Sequence, residues 1–241
     1  MKGKHITAIL TAAGTSRRMG AGISKQFLKI GNKMIIERTI EIFDKLEEID
    51  DMILIVRKND INIYKNNILG KFKKPIKLVI GGETREESTY NGIMAIDEKT
   101  DIVVCHDGVR PFIKPSIIKR AIDEMENHNA AIVAVPSKDT IKYADKNGFV
   151  EYTPNRERLY NVQTPQVFKK DILIKAYENV FDENIKVTDD SSLLEMMGEK
   201  VQIVLGDYSN IKITTKEDLL YGELILRQEE EYANRFGIWC S

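Results

Sequence analysis

Short apolar runs alternate with longer amphipathic stretches through the first half of the chain. "HITAILTAA" (5–13) is rich in apolar and β-branched residues and predicts a strand. "MIIERTIEIFDKLEE" (34–48) places apolar residues at helical spacing with charges between them. "DMILIVR" (51–57) predicts a second strand, "DINIYKNNIL" (60–69) a helical or irregular stretch, and "IKLVIGG" (76–82) a strand ending in two glycines. "TREESTYNGIMAIDE" (84–98) predicts a helix opened by a Thr84/Glu87 capping box. "DIVVCHD" (101–107) predicts a strand, "KPSIIKRAIDEMENHN" (114–129) a helix with Pro115 in its first turn, and "AAIVAVP" (130–136) a strand. Strand alternating with helix is the signature of a mostly parallel sheet covered on both faces. The strands are continuous apolar runs, as coverage of both faces requires.

The pattern changes after Pro136. Residues 137–168 contain no helical periodicity, and "DTIKYADKNGFVEYT" (139–153) predicts a hairpin turning at Asp145–Gly148. The excursion, roughly 137–163, is too small and too polar to be a domain. It reads as a protruding β-arm that finds its core on another subunit. "KKDILIKAYENVF", "TDDSSLLEMMG" and "TKEDLLYGELILRQEEEYANRF" then predict helices, and "KVQIVLGD" a strand. The expectation is one α/β domain over residues 1–241, a Rossmann-like, mostly parallel twisted sheet flanked by helices and carrying the arm.

Bulk properties narrow the function. The 241 residues carry a formal net charge of −1, from 36 basic and 37 acidic side chains, which argues against a protein that coats nucleic acid. Cys105 and Cys240 have neither zinc nor disulfide-framework spacing, which fits a reducing compartment. No run approaches the roughly 20 apolar residues of a membrane span, and "MKGKHITAIL" lacks a secretory pattern, so a cytoplasmic protein is expected.

Six stretches concentrate polar residues where strands end, the place where open α/β sheets bind ligands. "TAAGTSRRMG" (11–20) follows the first strand but is neither GxxxxGK[ST] nor GxGxxG. With Lys25, its Arg17 and Arg18 read either as a polyphosphate clamp or as a solvated basic loop, and position favours the clamp. In "GGETREES" (81–88), two glycines admit a flat ligand to bare backbone, with Arg85 and Ser88 one turn apart; alone, the stretch reads as a capped turn. "HDGVRPF" (106–112) offers Asp107 near a hard cation such as Mg²⁺ and Arg110 for phosphate, or a local Asp107–Arg110 pair. "KDTIK" offers the hydroxyl of Thr140, and "NRERLYNVQTPQVF" offers Arg156, Arg158 and Thr164, otherwise ordinary strand and surface residues. Lys212 lies between Ile211 and Ile213 in what reads as an apolar strand, where a lysine needs a partner, and "TDDSS" (188–192) reads as a helix cap.

The order and spacing of these stretches resemble the 2-C-methyl-D-erythritol 4-phosphate cytidylyltransferases of the non-mevalonate isoprenoid pathway. The resemblance runs from "ITAILTAAGTSRRMG" through "KQFL", "GGETREES", "HDGVRPF", "KDTIK", "QTPQVF" and "TDDSSLLE" to "GDYSNIKITTKEDL". The related ribitol-5-phosphate cytidylyltransferases share the first loop, "HD-VRPF" and "QTPQ". The chain departs mildly from the first family at Gly108, where Ala is common, and at Tyr160, near which Trp is common.

The resemblance implies the nucleotide-diphospho-sugar transferase type of fold. It also implies transfer of CMP from CTP to a polyol phosphate, with Mg²⁺ held mainly by the CTP phosphates and Asp107 as its protein neighbour. Arg18, Lys25, Arg156 and Lys212 would be catalytic. Ala12, Ala13, Gly14, Arg17, Gly82, Glu83, Arg85 and Ser88 would hold the nucleotide, Glu83 standing where Asp is common. Asp107, Arg110, Thr140, Thr164 and Thr188 would hold the phosphosugar. A homodimer through the arm would bring Arg156 and Lys212 across the interface. The competing classes are ribitol-phosphate activation, a non-catalytic nucleotide-binding module, and a dinucleotide-dependent dehydrogenase, the last disfavoured by the lack of GxGxxG.

Overall fold

The computed structural model describes residues 3–14, 24–183 and 189–236. Arg17, Arg18, Thr188 and Cys240 lie outside the described residues.

In chain order the strands are β1 (Ile6–Thr11), β2 (Lys29–Ile30), β3 (Lys33–Met34), β4 (Asp51–Val56), β5 (Ile76–Ile80), β6 (Ile102–Asp107), β7 (Ala130–Pro136), β8 (Tyr143–Ala144), β9 (Val150–Tyr152), β10 (Tyr160–Lys169) and β11 (Val201–Leu205). The helices are α1 (Ile35–Lys45), α2 (Ile61–Asn67), α3 (Arg85–Ile93), α4 (Pro115–Asp123), α5 (Lys170–Glu183), α6 (Ser191–Met196) and α7 (Lys216–Phe236). Seven strands form one sheet in the order β11-β7-β10-β6-β1-β4-β5, parallel except for β10, which runs antiparallel to both neighbours. The expected mostly parallel sheet is present.

Alternate residues of each central strand feed two cores, as the two-residue period of a strand requires. Ala8, Leu10 and Val104 pack with α1, α2 and α4 through Ile36, Ile40, Phe43, Tyr64, Ile118 and Ile122. Ile9, Val103 and Cys105 pack on the other face with α3, α5 and α6 through Ile93, Leu173, Tyr177 and Leu194. A third cluster seats α7 against Ile30, Ile35, Phe112 and Ile213.

Several boundaries differ from the sequence pattern. The stretch read as a helix over 114–129 becomes α4 plus a 3-10 turn at Glu124–Glu126, because Asn127 to Asn129 must turn the chain into β7. The hairpin forms from β8 and β9, with the Asp145 carboxylate accepting the Asn147 and Phe149 N–H groups. The arm is shorter than its sequence suggests. Tyr160 pairs with Pro136 and Val162 with Ala134, so residues 160–163 already belong to the main sheet. Lys212 lies in irregular chain rather than a strand. Tyr143 stacks on Tyr152 (4.9 Å between centroids), while Ile141, Phe149, Val150 and Tyr152 remain largely exposed.

The capping box at α3 forms as expected, with the Glu87 N–H donating to Thr84 Oγ1 at 3.1 Å and the Thr84 N–H facing Glu87 Oε2 at 3.4 Å. Thr84→Ala removes one half of this reciprocal pair. It is expected to cost about 1 kcal/mol, read as a lowered urea midpoint at unchanged slope; an unchanged midpoint would contradict the cap.

Candidate active site

The chain crosses the sheet from β1 to β4 and β5, then returns to the other side of β1 for β6. The carboxyl ends of β1 and β6 therefore flank the point where strand order reverses, the usual ligand crevice of such sheets. Thr11 at the end of β1 stands beside Asp107 at the end of β6. The Gly108 N–H donates to the Thr11 carbonyl at 2.9 Å, and the Ala12 N–H to Ile55 O at 2.8 Å.

On the β5 side, the contacts are tight. A Cβ on Gly81 would lie 2.7 Å from the Ala13 Cβ and 2.8 Å from Ser88 Oγ, and one on Gly82 would lie 2.3 Å from the Glu87 Cβ. Ala13 can thus sit against the end of β5 because Gly81 carries no side chain, while Gly82 makes room for Glu87. Ser88 Oγ turns inward, donating to Thr84 O at 2.8 Å. Glu83 is exposed, and its N–H donates to Glu87 Oε2 at 2.7 Å.

Arg85, at the start of α3, pairs with the scaffold. Its Nη2 lies 3.1 Å from Asp190 Oδ1, which also accepts the Tyr177 hydroxyl at 2.8 Å. Burial raises the Asp190 pKa, with Arg85 and Tyr177 opposing it. The structure thus makes Arg85 a strut between α3 and the start of α6. Asp189 fastens the same segment by accepting from Gln166 Nε2 at 2.7 Å.

Lys25 sits in a one-turn 3-10 helix, Lys25–Phe27. Gln26, 1% exposed, anchors that turn by donating to Ala12 O at 3.0 Å and Asp60 Oδ2 at 3.3 Å. Arg57 Nε holds Asp60 Oδ2 at 2.8 Å. The loop expected to carry nucleotide and the lysine expected to serve phosphate therefore share a buried anchor.

The densest polar cluster surrounds Asp107. Its Oδ1 faces Lys212 Nζ at 2.9 Å and its Oδ2 faces Arg110 Nε at 3.0 Å. Burial pushes the Asp107 carboxyl up, but Lys212 and Arg110 together outweigh that and hold it down at about 2. Both oxygens thus face cations, a poor arrangement for a direct metal ligand. Among the described residues no group of three or more His, Cys, Asp or Glu side chains is placed to hold a metal ion.

Thr164 Oγ1 accepts the Asp107 N–H at 3.0 Å, which leaves its hydrogen for His106 Nδ1, also at 3.0 Å. His106 Nε2 then donates to Arg110 O at 3.1 Å. Burial lowers the His106 pKa to about 4, so the ring is neutral and structural.

Thr140 and Arg156 are exposed on the arm, where Arg156 Nη1 donates to Lys138 O at 3.3 Å. Among the described residues no hydrogen bond or ion pair joins either to the Asp107 cluster within one chain. The arm's base is held by Tyr208, whose hydroxyl donates to Pro136 O at 2.8 Å and whose ring lies 3.4 Å beneath Lys138 Nζ.

Comparison with known proteins gives a consistent result. Residues 6–228 match the family model of 2-C-methyl-D-erythritol 4-phosphate cytidylyltransferase (IspD). The chain belongs to this family. The enzyme of that name from Caldanaerobacter subterraneus subsp. tengcongensis is 44% identical over 226 residues, 93% of this chain and 100% of the relative. That of Clostridioides difficile is 42% identical over 225 residues, 93% and 94% of the two chains. The crystal structure of 4-diphosphocytidyl-2C-methyl-D-erythritol synthase from Anaerococcus prevotii superposes with a TM-score of 0.86 at 41% identity, covering 93% of this chain and 96% of that one.

Within this cytidylyltransferase framework, the structure brings Ala12, Ala13, Gly82 and Ser88 together on one side of the crevice. It brings Asp107, Arg110, Thr164 and Lys212 together on the other. Sequence reasoning missed the anchors: Gln26 with Asp60, and Asn210 with Gln163. Buried amides inside motifs named for their charged neighbours were the available signal.

The His106 and Asp107 shifts give stability a defined pH dependence. The folded chain resists a proton on His106 that the unfolded chain accepts below its ordinary value of 6.5. Stability is therefore full above that pH and declines by about 3 kcal/mol as pH falls toward about 4. The depressed Asp107 adds a second decline, from its ordinary 3.8 toward about 2. Urea titrations at about pH 7 and about pH 5 should differ for wild type and converge for His106→Asn; an equal slope in both proteins would contradict the assignment.

Proposed function

We propose that the chain transfers CMP from CTP to 2-C-methyl-D-erythritol 4-phosphate, releasing pyrophosphate and 4-diphosphocytidyl-2-C-methyl-D-erythritol. The observation that carries this reading is the cation cluster of Arg110 and Lys212 on Asp107, facing a bare-backbone surface across the switch point of a chain in this family. The flat cytosine belongs against Ala13, Gly81 and Gly82, and the phosphosugar near Thr164 and Lys212.

The attacking group is a phosphate monoester, largely dianionic at neutral pH because its second pKa is about 6. It attacks the α-phosphorus in line and needs no general base. The barrier is repulsion between two polyanions, and fixed cations are the remedy. Lys25 and Lys212 would supply such charge, with Arg18 of the TAAGTSRRMG motif adding to it. Mg²⁺ is part of the same proposal, carried on the CTP phosphates, where it would neutralise the triphosphate.

The exposed Tyr143, Phe149, Val150 and Tyr152 favour an arm-mediated homodimer, which would deliver Thr140 and Arg156 to the partner's phosphosugar site. No helix of the described chain is long and apolar enough to cross a membrane. That and the cysteine usage support placing the enzyme in the cytoplasm.

Pyrophosphate release with CTP, Mg²⁺ and a panel of polyol phosphates tests the assignment. Turnover on the methylerythritol phosphate well above ribitol 5-phosphate is expected, and the reverse order would make the chain a ribitol-phosphate enzyme. Lys25→Ala and Arg18→Ala should each lower kcat by about 10²–10³-fold, the scale of losing one transition-state donor, with a much smaller change in phosphosugar KM. Near-wild-type turnover in either variant would remove those roles. Phe149→Asp should halve the mass in solution and lower activity; a monomeric wild type would refute the arm's part.

A further inference from the structure

Asn210 is 0% exposed, although it lies in an irregular loop only two residues from Lys212. Its Nδ2 donates to Thr164 O at 2.9 Å and to Gln163 Oε1 at 3.1 Å. Its backbone carbonyl accepts Arg110 Nη1 at 2.8 Å. These bonds close a ring. Asp107 N–H reaches Thr164 Oγ1, Thr164 O receives Asn210, Asn210 O receives Arg110, and Arg110 Nε returns to Asp107 Oδ2. Lys212 hangs from the ring at Asp107 Oδ1.

The ring spans three parts of the fold: the end of β6 with its turn, the strand returning from the arm, and the loop before α7. The register of β10 against β7 shifts between Val162 and Gln166, so Gln163 and Thr164 lie where the regular ladder is interrupted and are available to the loop. Gln163 Nε2 adds a bond to Asp207 O at 2.9 Å. The backbone around Lys212 is consequently fixed on both sides. Asn210 holds one side, and Ile213, buried and with its N–H on Val109 O at 2.9 Å, holds the other. Asn210 Oδ1 is buried without a hydrogen-bond partner, a loss that stability alone does not favour.

We propose that Asn210 is a positioning residue for phosphosugar activation, joining the returning arm strand to Arg110 and thereby fixing where Lys212 and Thr164 meet the substrate phosphate. The inference rests on the cytidylyl-transfer reading above. It assigns no contact between Asn210 and substrate. Nucleotide binding, built on the Ala12–Gly14 and Gly81–Gly82 backbone, lies outside the ring and is expected to be independent of it.

The test compares wild type with Asn210→Asp, which turns a donor into an acceptor facing Thr164 O and Gln163 Oε1. Asn210→Ser, which keeps a smaller donor, covers failure of the aspartate variant to fold. Asn129→Ala is the control, removing a hydrogen bond to Glu199 (2.9 Å) beside the amino ends of β7 and β11. Melting temperature, CTP affinity by calorimetry with Mg²⁺, and steady-state kinetics are measured on each. In at least one Asn210 variant, kcat/KM for the phosphosugar should fall about tenfold or more, with phosphosugar KM raised and CTP affinity within about twofold of wild type. Asn129→Ala should lower the melting temperature without that split. Loss of CTP affinity in step with kcat/KM would reduce Asn210 to a general structural role, and unchanged phosphosugar kinetics in a folded variant would overturn the proposal. A wild type that binds CTP but releases no pyrophosphate with any polyol phosphate would instead remove the functional reading beneath it.

Discussion

One partly buried carboxylate organises the site. Asp107 faces Lys212 with one oxygen and Arg110 with the other, at 2.9 and 3.0 Å. Two cations this close would repel one another at the edge of an apolar core, and an unpaired buried charge is costly. Asp107 resolves both problems and still leaves the assembly with net positive charge. The two cations are not equivalent. The Arg110 side chain is 12% exposed, with Nε on Asp107 and Nη1 on the Asn210 carbonyl. The Lys212 side chain is 40% exposed, and an ammonium carries three donors, of which Asp107 takes one. Lys212 can therefore meet a phosphate while still paired, and Arg110 keeps the carboxylate in place meanwhile.

The sheet supplies the matching surface by subtraction. Where Asp107 concentrates charge, the β1 and β5 ends remove side chains so that the Ala13, Gly81 and Ser88 positions touch. Both features sit at the carboxyl ends of strands of one sheet. Buried amides connect them to the scaffold: Gln26 from the Lys25 turn to Ala12, and Asn210 from the Lys212 loop to Thr164. Neutral amides suit this task because they bind carbonyls without adding charge beside the cations.

The elements were readable because periodicity is local. Ile6–Thr11 and Ile102–Asp107 are apolar runs, and the Thr84/Glu87 box lies within four residues. The partner of Lys212 was not readable, since Asp107 is 105 positions away and pairing depends on strand order. The apolar flanks of Lys212 suggested a strand, yet Ile213 is buried by α7 contacts rather than by sheet pairing. The resemblance implies a nucleotide role for Arg85, and the packing of α6 adds Asp190 as a partner that local sequence does not show. The start of β10 at Tyr160 is not legible either, because its pairing with Pro136 joins residues 24 positions apart through the arm.

His106 marks what kind of catalyst this arrangement suits. It is the histidine nearest the reacting end, yet its Nδ1 receives Thr164 and its Nε2 donates to Arg110 O, so neither nitrogen has a vacant role. Burial holds its pKa at about 4, which makes its neutral form a poor proton acceptor at neutral pH. A reaction needing a base to deprotonate an alcohol would be badly served here. A nucleophile that arrives already ionised needs only cations fixed at the right separation, and electrostatic preorganisation loses value quickly when those cations can wander. In such a site the hydrogen-bonded ring through Asn210 would matter by holding Arg110 and Lys212 at that separation.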